Sequence, residues 1–130
     1  MTEIRLEHVS YAYGDEKILE DINLQVTSGE VVSILGPSGV GKTTLFNLIA
    51  GILEVQSGRI VLDGEENPKG RVSYMLQKDL LLEHKTVLGN IILPLLIQKV
   101  DKAEAIARAD EILATFQLTA VRDKYPHELS

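Results

Sequence analysis

The stretch Gly36-Pro37-Ser38-Gly39-Val40-Gly41-Lys42-Thr43 decides how this chain is read. It fits G-x-x-x-x-G-K-[ST], a pattern whose chemistry is phosphate binding. Glycines at 36, 39 and 41 let the backbone turn tightly and approach a phosphate with no Cβ in the way. Successive backbone N–H groups then form a concave anion nest, and the following helix aims its positive end at the same point. Lys42 is spaced to reach the β- and γ-phosphates, Thr43 to offer its hydroxyl to Mg²⁺, and Thr44 to donate to the α-phosphate. A glycine-rich turn that only caps a helix would share this composition. The flanks argue against it. Val31-Val32-Ser33-Ile34-Leu35 reads as a strand covered on both faces. Lys42 to Ala50 reads as a helix with Leu45, Leu48 and Ile49 on one face and Gly51 as its stop.

Working outward, Ile4, Leu6 and His8 alternate with polar neighbours, and Ile22, Leu24 and Val26 do so again after a turn region at Gly14-Asp15-Glu16-Lys17. Ser28-Gly29 is a further turn. Beyond the loop's helix, Arg59 to Leu62 reads as a strand turned at Asp63-Gly64, and Val72 to Leu76 as another short strand. Thr86 is placed to cap a helix running to about Gln98, with Pro94 inside it. Asp101-Lys102-Ala103-Glu104 resembles a capping box, followed by Ile106, Ala109, Leu113 and Phe116 at helical spacing. Asp123 to Ser130 reads as loop. Strands first, then strand–loop–helix, then a strand and two helices predict an α/β fold with an antiparallel lobe attached.

Composition sets bounds. The chain has 130 residues, 45% hydrophobic and 25% charged, which is ordinary for a globular domain. It has no cysteine, which excludes a disulfide framework, a cysteine zinc site and a thiol nucleophile. Thirteen Lys and Arg against 19 Asp and Glu give a net charge of −6, which argues against broad binding to nucleic acid or anionic lipid. Met1-Thr2-Glu3-Ile4-Arg5 does not open a secretory signal. The longest apolar run, Ile91 to Ile97, falls far short of the ~20 residues of a spanning helix. A cytoplasmic place, or one peripheral to a membrane through a partner, is the expectation. His8, His84 and His127 show no metal-ligand spacing.

Several stretches together resemble the ATP-binding subunit of an ABC transporter. Glu7-His8-Val9-Ser10 with Tyr13-Gly14 resembles that family's opening strand and A-loop. Leu19 to Leu24 and Ser28-Gly29-Glu30 resemble the lead-in to the phosphate loop, and Ala50-Gly51-Ile52, Ser57-Gly58-Arg59-Ile60 and Asp63-Gly64 the stretch after its helix. Tyr74-Met75-Leu76-Gln77 resembles the strand that ends in the Q-loop glutamine, and Tyr125-Pro126-His127-Glu128-Leu129-Ser130 the approach to the LSGGQ signature. The Tyr74 to Pro94 stretch is most similar to the nitrate/sulfonate/taurine importer branch.

The resemblance implies a P-loop NTPase (RecA-like) core, with an N-terminal antiparallel lobe plus the P-loop strand and helix in residues 1–76 and a Q-loop and helical segment in 77–130. It implies ATP and Mg²⁺ as cofactors and ATP hydrolysis by the intact family member. Tyr13 would stack on adenine, Gly36 to Thr44 (Gly36, Pro37, Ser38, Gly39, Val40, Gly41, Lys42, Thr43, Thr44) would hold the phosphates, and Thr43 and Gln77 would ligate Mg²⁺. Lys42 and Gln77 would serve the chemistry. Taken alone, Gln77 reads as a solvated loop residue and Tyr13 as a half-buried sheet aromatic. Partners would be transmembrane permease subunits, which seat a coupling helix near Leu80-Leu81-Leu82, and a second copy of the subunit, with no nucleic acid. The place would be the inner face of the cell membrane. Glu54, Glu65, Glu66 and Glu83 follow no long apolar strand, so none reads as the Walker B acid. We therefore expect a piece of a longer protein, ending inside the signature with the C-terminal core strands absent, and inactive in hydrolysis alone. Rival readings are a nucleotide-gated interaction module without turnover, a non-transport member of the family, and a nucleotide kinase.

Overall fold

The alternation near the start becomes a long hairpin in the computed structural model, which describes residues 2–129. β1 (Glu3–Tyr13) pairs antiparallel with β2 (Glu16–Thr27), from Glu3 opposite Thr27 to Tyr13 opposite Glu16. β3 (Ser57–Leu62) pairs with the other edge of β1, and the short β4 (Glu65–Glu66) with β3, giving the order β2-β1-β3-β4. Asp63 and Gly64 between them both take positive φ, 52° and 82°, as a tight primed hairpin turn requires.

A bulge interrupts β1. The register slips between Leu6 and Val9, where His8 takes φ 53°, and Asp21 on β2 takes φ 49°. Side chains replace the lost ladder bonds: His8 N–H donates to Asn23 Oδ1 at 2.9 Å, and Asp21 N–H to Ser10 Oγ at 2.9 Å. Gly58 of β3, at φ 80°, lies against this bulge. A Cβ there would stand 2.3 Å from the His8 carbonyl oxygen and 2.4 Å from that of Glu7.

The sheet covers α1 (Lys42–Ile49) through Leu6, Val9, Leu19 and Ile60, which pack with Leu45 and Leu48 of the helix. One expectation fails here. Val31 to Leu35 forms no strand: Val31 is 96% and Leu35 91% exposed, and only Ile34 packs against the core. A β-branched run becomes a strand only where another strand takes its hydrogen bonds, and among the described residues none pairs with it. Val72 to Leu76, expected as a strand, likewise forms none, and among the described residues no strand pairs with it.

The chain divides into two units, Met1–Met75 and Leu76–Ser130. The sheet and α1 lie in the first. The second holds α2 (Val87–Ile97), α3 (Lys102–Thr115) and single 3₁₀ turns at Thr119–Val121 and Pro126–Glu128. Thr86 Oγ1 caps α2 by accepting from Gly89 N–H at 3.1 Å, and Asp101 caps α3 by accepting from Ala103 N–H at 3.0 Å. α2 runs through Pro94, which gives up one intrahelical donor there. Ile92 packs on Ala105 and Ala109, whose small side chains admit the second helix closely. Phe116, expected on the buried face of α3, is instead its C-cap residue and 69% exposed, because the helix ends at Thr115. Among the described residues no helix is long and apolar enough to cross a membrane. Ser130, the last residue read into the signature, lies outside the described residues.

Candidate functional site

The phosphate loop opens where the exposed run ends. Gly39 takes φ 82° and Gly41 φ 105°, both in the left-handed region. Gly41 is the residue before α1, and it also faces β2: a Cβ there would stand 2.8 Å from Ile18 Cγ2 and 3.2 Å from the Ile18 carbonyl oxygen. Conformation and space thus both require glycine at this point. A Cβ on Gly36 would meet Val40 Cγ1 at 3.0 Å. Pro37, Ser38 and Val40 are exposed along the loop.

α1 starts at Lys42 with no side-chain cap and no acidic residue in its first turn. Its first N–H groups and its positive end therefore face outward without a competing carboxylate. The Lys42 ammonium folds onto its own loop and donates to the carbonyls of Gly36 and of Pro37, the latter at 2.7 Å. Thr43 is exposed beside it, and Thr44 is 7% exposed under the loop. These groups fit a nucleotide phosphate with its Mg²⁺: open N–H donors, one cation on a flexible stem, and one free hydroxyl.

Tyr13 ends β1 and is 50% exposed, with its ring edge-on to Tyr11 at a centroid distance of 5.0 Å and 78°. Its register partner Glu16 opens β2, the strand whose Ile18 and Leu19 face Gly41. One hairpin end therefore carries the aromatic ring and supports the loop. Gln77 belongs to the second unit and stands in the exposed bend Gln77-Lys78. Ahead of the loop, Thr27 N–H donates to Glu30 Oε2 at 2.7 Å and holds that carboxyl below the usual carboxylate range. The carboxylates of Glu54, Glu65, Glu66 and Glu83 are all exposed.

The second unit carries an apolar groove of about 730 Å³. Leu80, Leu81 and Leu82 line it together with Ile91 and Pro94 of α2 and with Leu129. Leu80 and Leu81 are exposed there and Leu82 is half-buried. Asn90 also lines the groove and was not singled out in the sequence. The available signal is that it carries the only hydrogen-bonding side chain between Val87 and Ile97, one turn past the cap Thr86. At the start of α2, the Val87 and Leu88 N–H groups donate to the carbonyls of Lys124 and Arg122 at 2.8 and 2.9 Å. Arg122 forks onto Asp110 of α3 at 2.6 and 3.2 Å and holds that carboxyl below its ordinary range.

A family model described as ABC transporter matches residues 19–130. The chain is 40% identical over 132 residues to the spermidine/putrescine import ATP-binding protein of Aggregatibacter actinomycetemcomitans, covering 98% of this chain and 36% of that protein. It is 38% identical to the sulfate/thiosulfate import ATP-binding protein of Thermosynechococcus vestitus, covering 98% of this chain and 39% of the other. The chain thus spans little more than a third of the length of these relatives. A solved ATP-binding cassette of an ABC transporter superposes with a TM-score of 0.84 at 28% identity, over all of this chain and 60% of that one. A dimeric ATP-binding cassette in a post-hydrolysis state with ADP and Pi superposes with a TM-score of 0.77 at 28% identity, over 98% of this chain and 63% of the other.

Proposed function

The chain belongs to the ABC transporter family, and on that premise we propose that it is part of an ATP-binding subunit that couples ATP binding and hydrolysis to solute import. Its fold class is accordingly the α/β class of P-loop NTPases. In this reading residues 1–76 are the antiparallel lobe with the phosphate loop and its helix, and residues 77–130 are the Q-loop and helical segment. The observation that carries the reading is the loop itself: left-handed Gly39 and Gly41, an uncapped α1, and a Lys42 ammonium held on the Gly36 and Pro37 carbonyls.

The residues act as follows. Lys42 exchanges its two carbonyl partners for the β- and γ-phosphates and stabilises charge on the γ-phosphate. Backbone N–H groups of Gly39 to Thr44 cradle the phosphates. Thr44 serves the α-phosphate, and Tyr13 stacks on the adenine. Mg²⁺ would supply charge neutralisation at the phosphates. Thr43 and the Gln77 amide oxygen would be the protein groups that hold it, and Gln77 would also orient water. Two copies of the subunit sandwich the nucleotides, and the relative solved as a dimer with ADP and Pi supports that assembly.

Membrane permease subunits dock through a helix whose apolar side fills the Leu80–Leu82 groove, which places the subunit at the inner face of the membrane. No nucleic acid enters this scheme. The relatives carry the names of polyamine and sulfate importers, so the narrower nitrate/sulfonate/taurine branch gains no support from them and the proposal stops at an importer.

For these 130 residues by themselves a second reading is favoured, a module that binds nucleotide without turnover. Glu54, Glu65, Glu66 and Glu83 are exposed and none follows a long apolar strand, so none of these four is placed to activate water. Phosphate release by the purified chain in MgATP tests this. We expect none above background from a preparation that still binds the nucleotide. Steady Lys42-dependent release would assign hydrolysis to the chain itself.

A further inference from the structure

One side chain holds the loop that walls the apolar groove. Asn90 Oδ1 accepts from the Leu82 N–H at 2.7 Å. Asn90 Nδ2 donates to the carbonyls of Thr86 at 3.0 Å, Lys85 at 3.2 Å and Leu82 at 3.2 Å. Two amide hydrogens serve three carbonyls, so one of them is shared. Every partner lies in the loop Leu82 to Thr86, from its first residue to the cap of α2. Lys85 N–H returns to the Leu82 carbonyl at 2.9 Å and closes the same turn.

The consequences follow from where the loop leads. Leu82 ends the Leu80–Leu82 run that lines the groove, and Gln77 lies a few residues upstream of it. The opposite wall, around Leu118 and Leu129, is tied to α2 and α3 by the Val87 and Leu88 N–H bonds and by the Arg122–Asp110 pair. Both walls hang on the same helix pair, but the first depends on Asn90. We propose that Asn90 is the positioning residue of the docking groove: it fixes the Leu80–Leu82 wall to α2, so that the wall is already in place for a helix seated in the groove. This rests on the docking reading above.

Asn is suited because a primary amide offers acceptor and donors in one plane. Aspartate keeps the acceptor, loses both donors, and as an anion faces three carbonyl oxygens. Protonated, it regains one O–H donor.

The test uses the 130-residue chain and the apolar dye bis-ANS as groove probe, with hydrogen exchange followed in peptides covering residues 80–90. Leu81→Glu locates the dye. We expect it to weaken binding about tenfold, as burial of a charge in an apolar site costs at least that. Asn90→Ala should weaken binding about tenfold at both pH 5 and pH 8 and speed exchange across the loop, given the bonds lost. Asn90→Asp, which keeps the acceptor but has no donor, should behave like Asn90→Ala at pH 8, while exchange in peptides covering α3 keeps the wild-type rate in both variants. Wild-type exchange in α3 separates positioning from a failure to fold. Dye binding and loop exchange like wild type in Asn90→Ala, or exchange that speeds equally in α3, would overturn the role of Asn90. Dye binding untouched by Leu81→Glu would instead remove the groove reading beneath it, while loop exchange would still report on the clamp.

Discussion

Gly41 answers two demands at once. Its φ of 105° is one that a side chain resists, and the space where a Cβ would go is filled by Ile18. Left-handed backbone costs an L-residue roughly 1–2 kcal/mol, and forcing atoms into packed space typically about 1–3 kcal/mol more. We expect Gly41→Ala to lower unfolding stability by at least about 2 kcal/mol. It should also remove MgATP binding, because α1 and the loop can no longer both keep their places. Urea unfolding and a nucleotide titration of the same preparation check this; a stable variant that binds normally would refute it. The glycine pattern was legible in the sequence. The partner that enforces it was not, because Ile18 reaches Gly41 only through the packing of β2 on α1. Asn90 was missed for a related reason: its partners are backbone groups, which leave no mark in a residue pattern.

The hairpin, α1, α2 and α3 were legible because each carries its own period, turn or cap. Thr86 and Asp101 cap the helices that their spacing announced. Val31 to Leu35 was misread because periodicity reports what a segment can bury, whereas a strand also needs a partner for its hydrogen bonds. The His8 bulge was also illegible. It is set by Asn23, Ser10 and Asp21 across the pair and by Gly58 behind it. Gly58→Ala places a methyl 2.3 Å from a backbone oxygen that cannot move without breaking the β1–β3 pairing. We expect a loss of about 2 kcal/mol or more, for the reasons given for Gly41. Val61→Ala, which only trims a core side chain, should retain the β1–β3 amide protection that Gly58→Ala loses. Equal protection in the two variants would contradict this account of the bulge.

Across the whole molecule, acid should destabilise. Arg59 holds the Glu7 carboxyl, His8 that of Asp21, Thr27 that of Glu30 and Arg122 that of Asp110 below their ordinary values. A carboxylate depressed in the folded state contributes stability above its unfolded pKa of about 4 and loses it as pH falls through the folded value. The melting temperature should therefore be flat near neutrality and fall as pH drops below about 4.5. Arg122→Ala, which releases Asp110, should flatten part of that fall. A melting temperature that rises toward pH 3 would reverse the sign of these interactions.

The central claim concerns the loop from Gly36 to Thr44, and calorimetric titration of the 130-residue chain with MgATP tests it most directly, with Lys42→Ala as control. The account predicts saturable binding at one nucleotide per chain, weakened at least about tenfold in the variant, since a charge-assisted hydrogen bond contributes roughly 1.5–3 kcal/mol. No binding by the wild-type chain, or equal binding by Lys42→Ala, would contradict it.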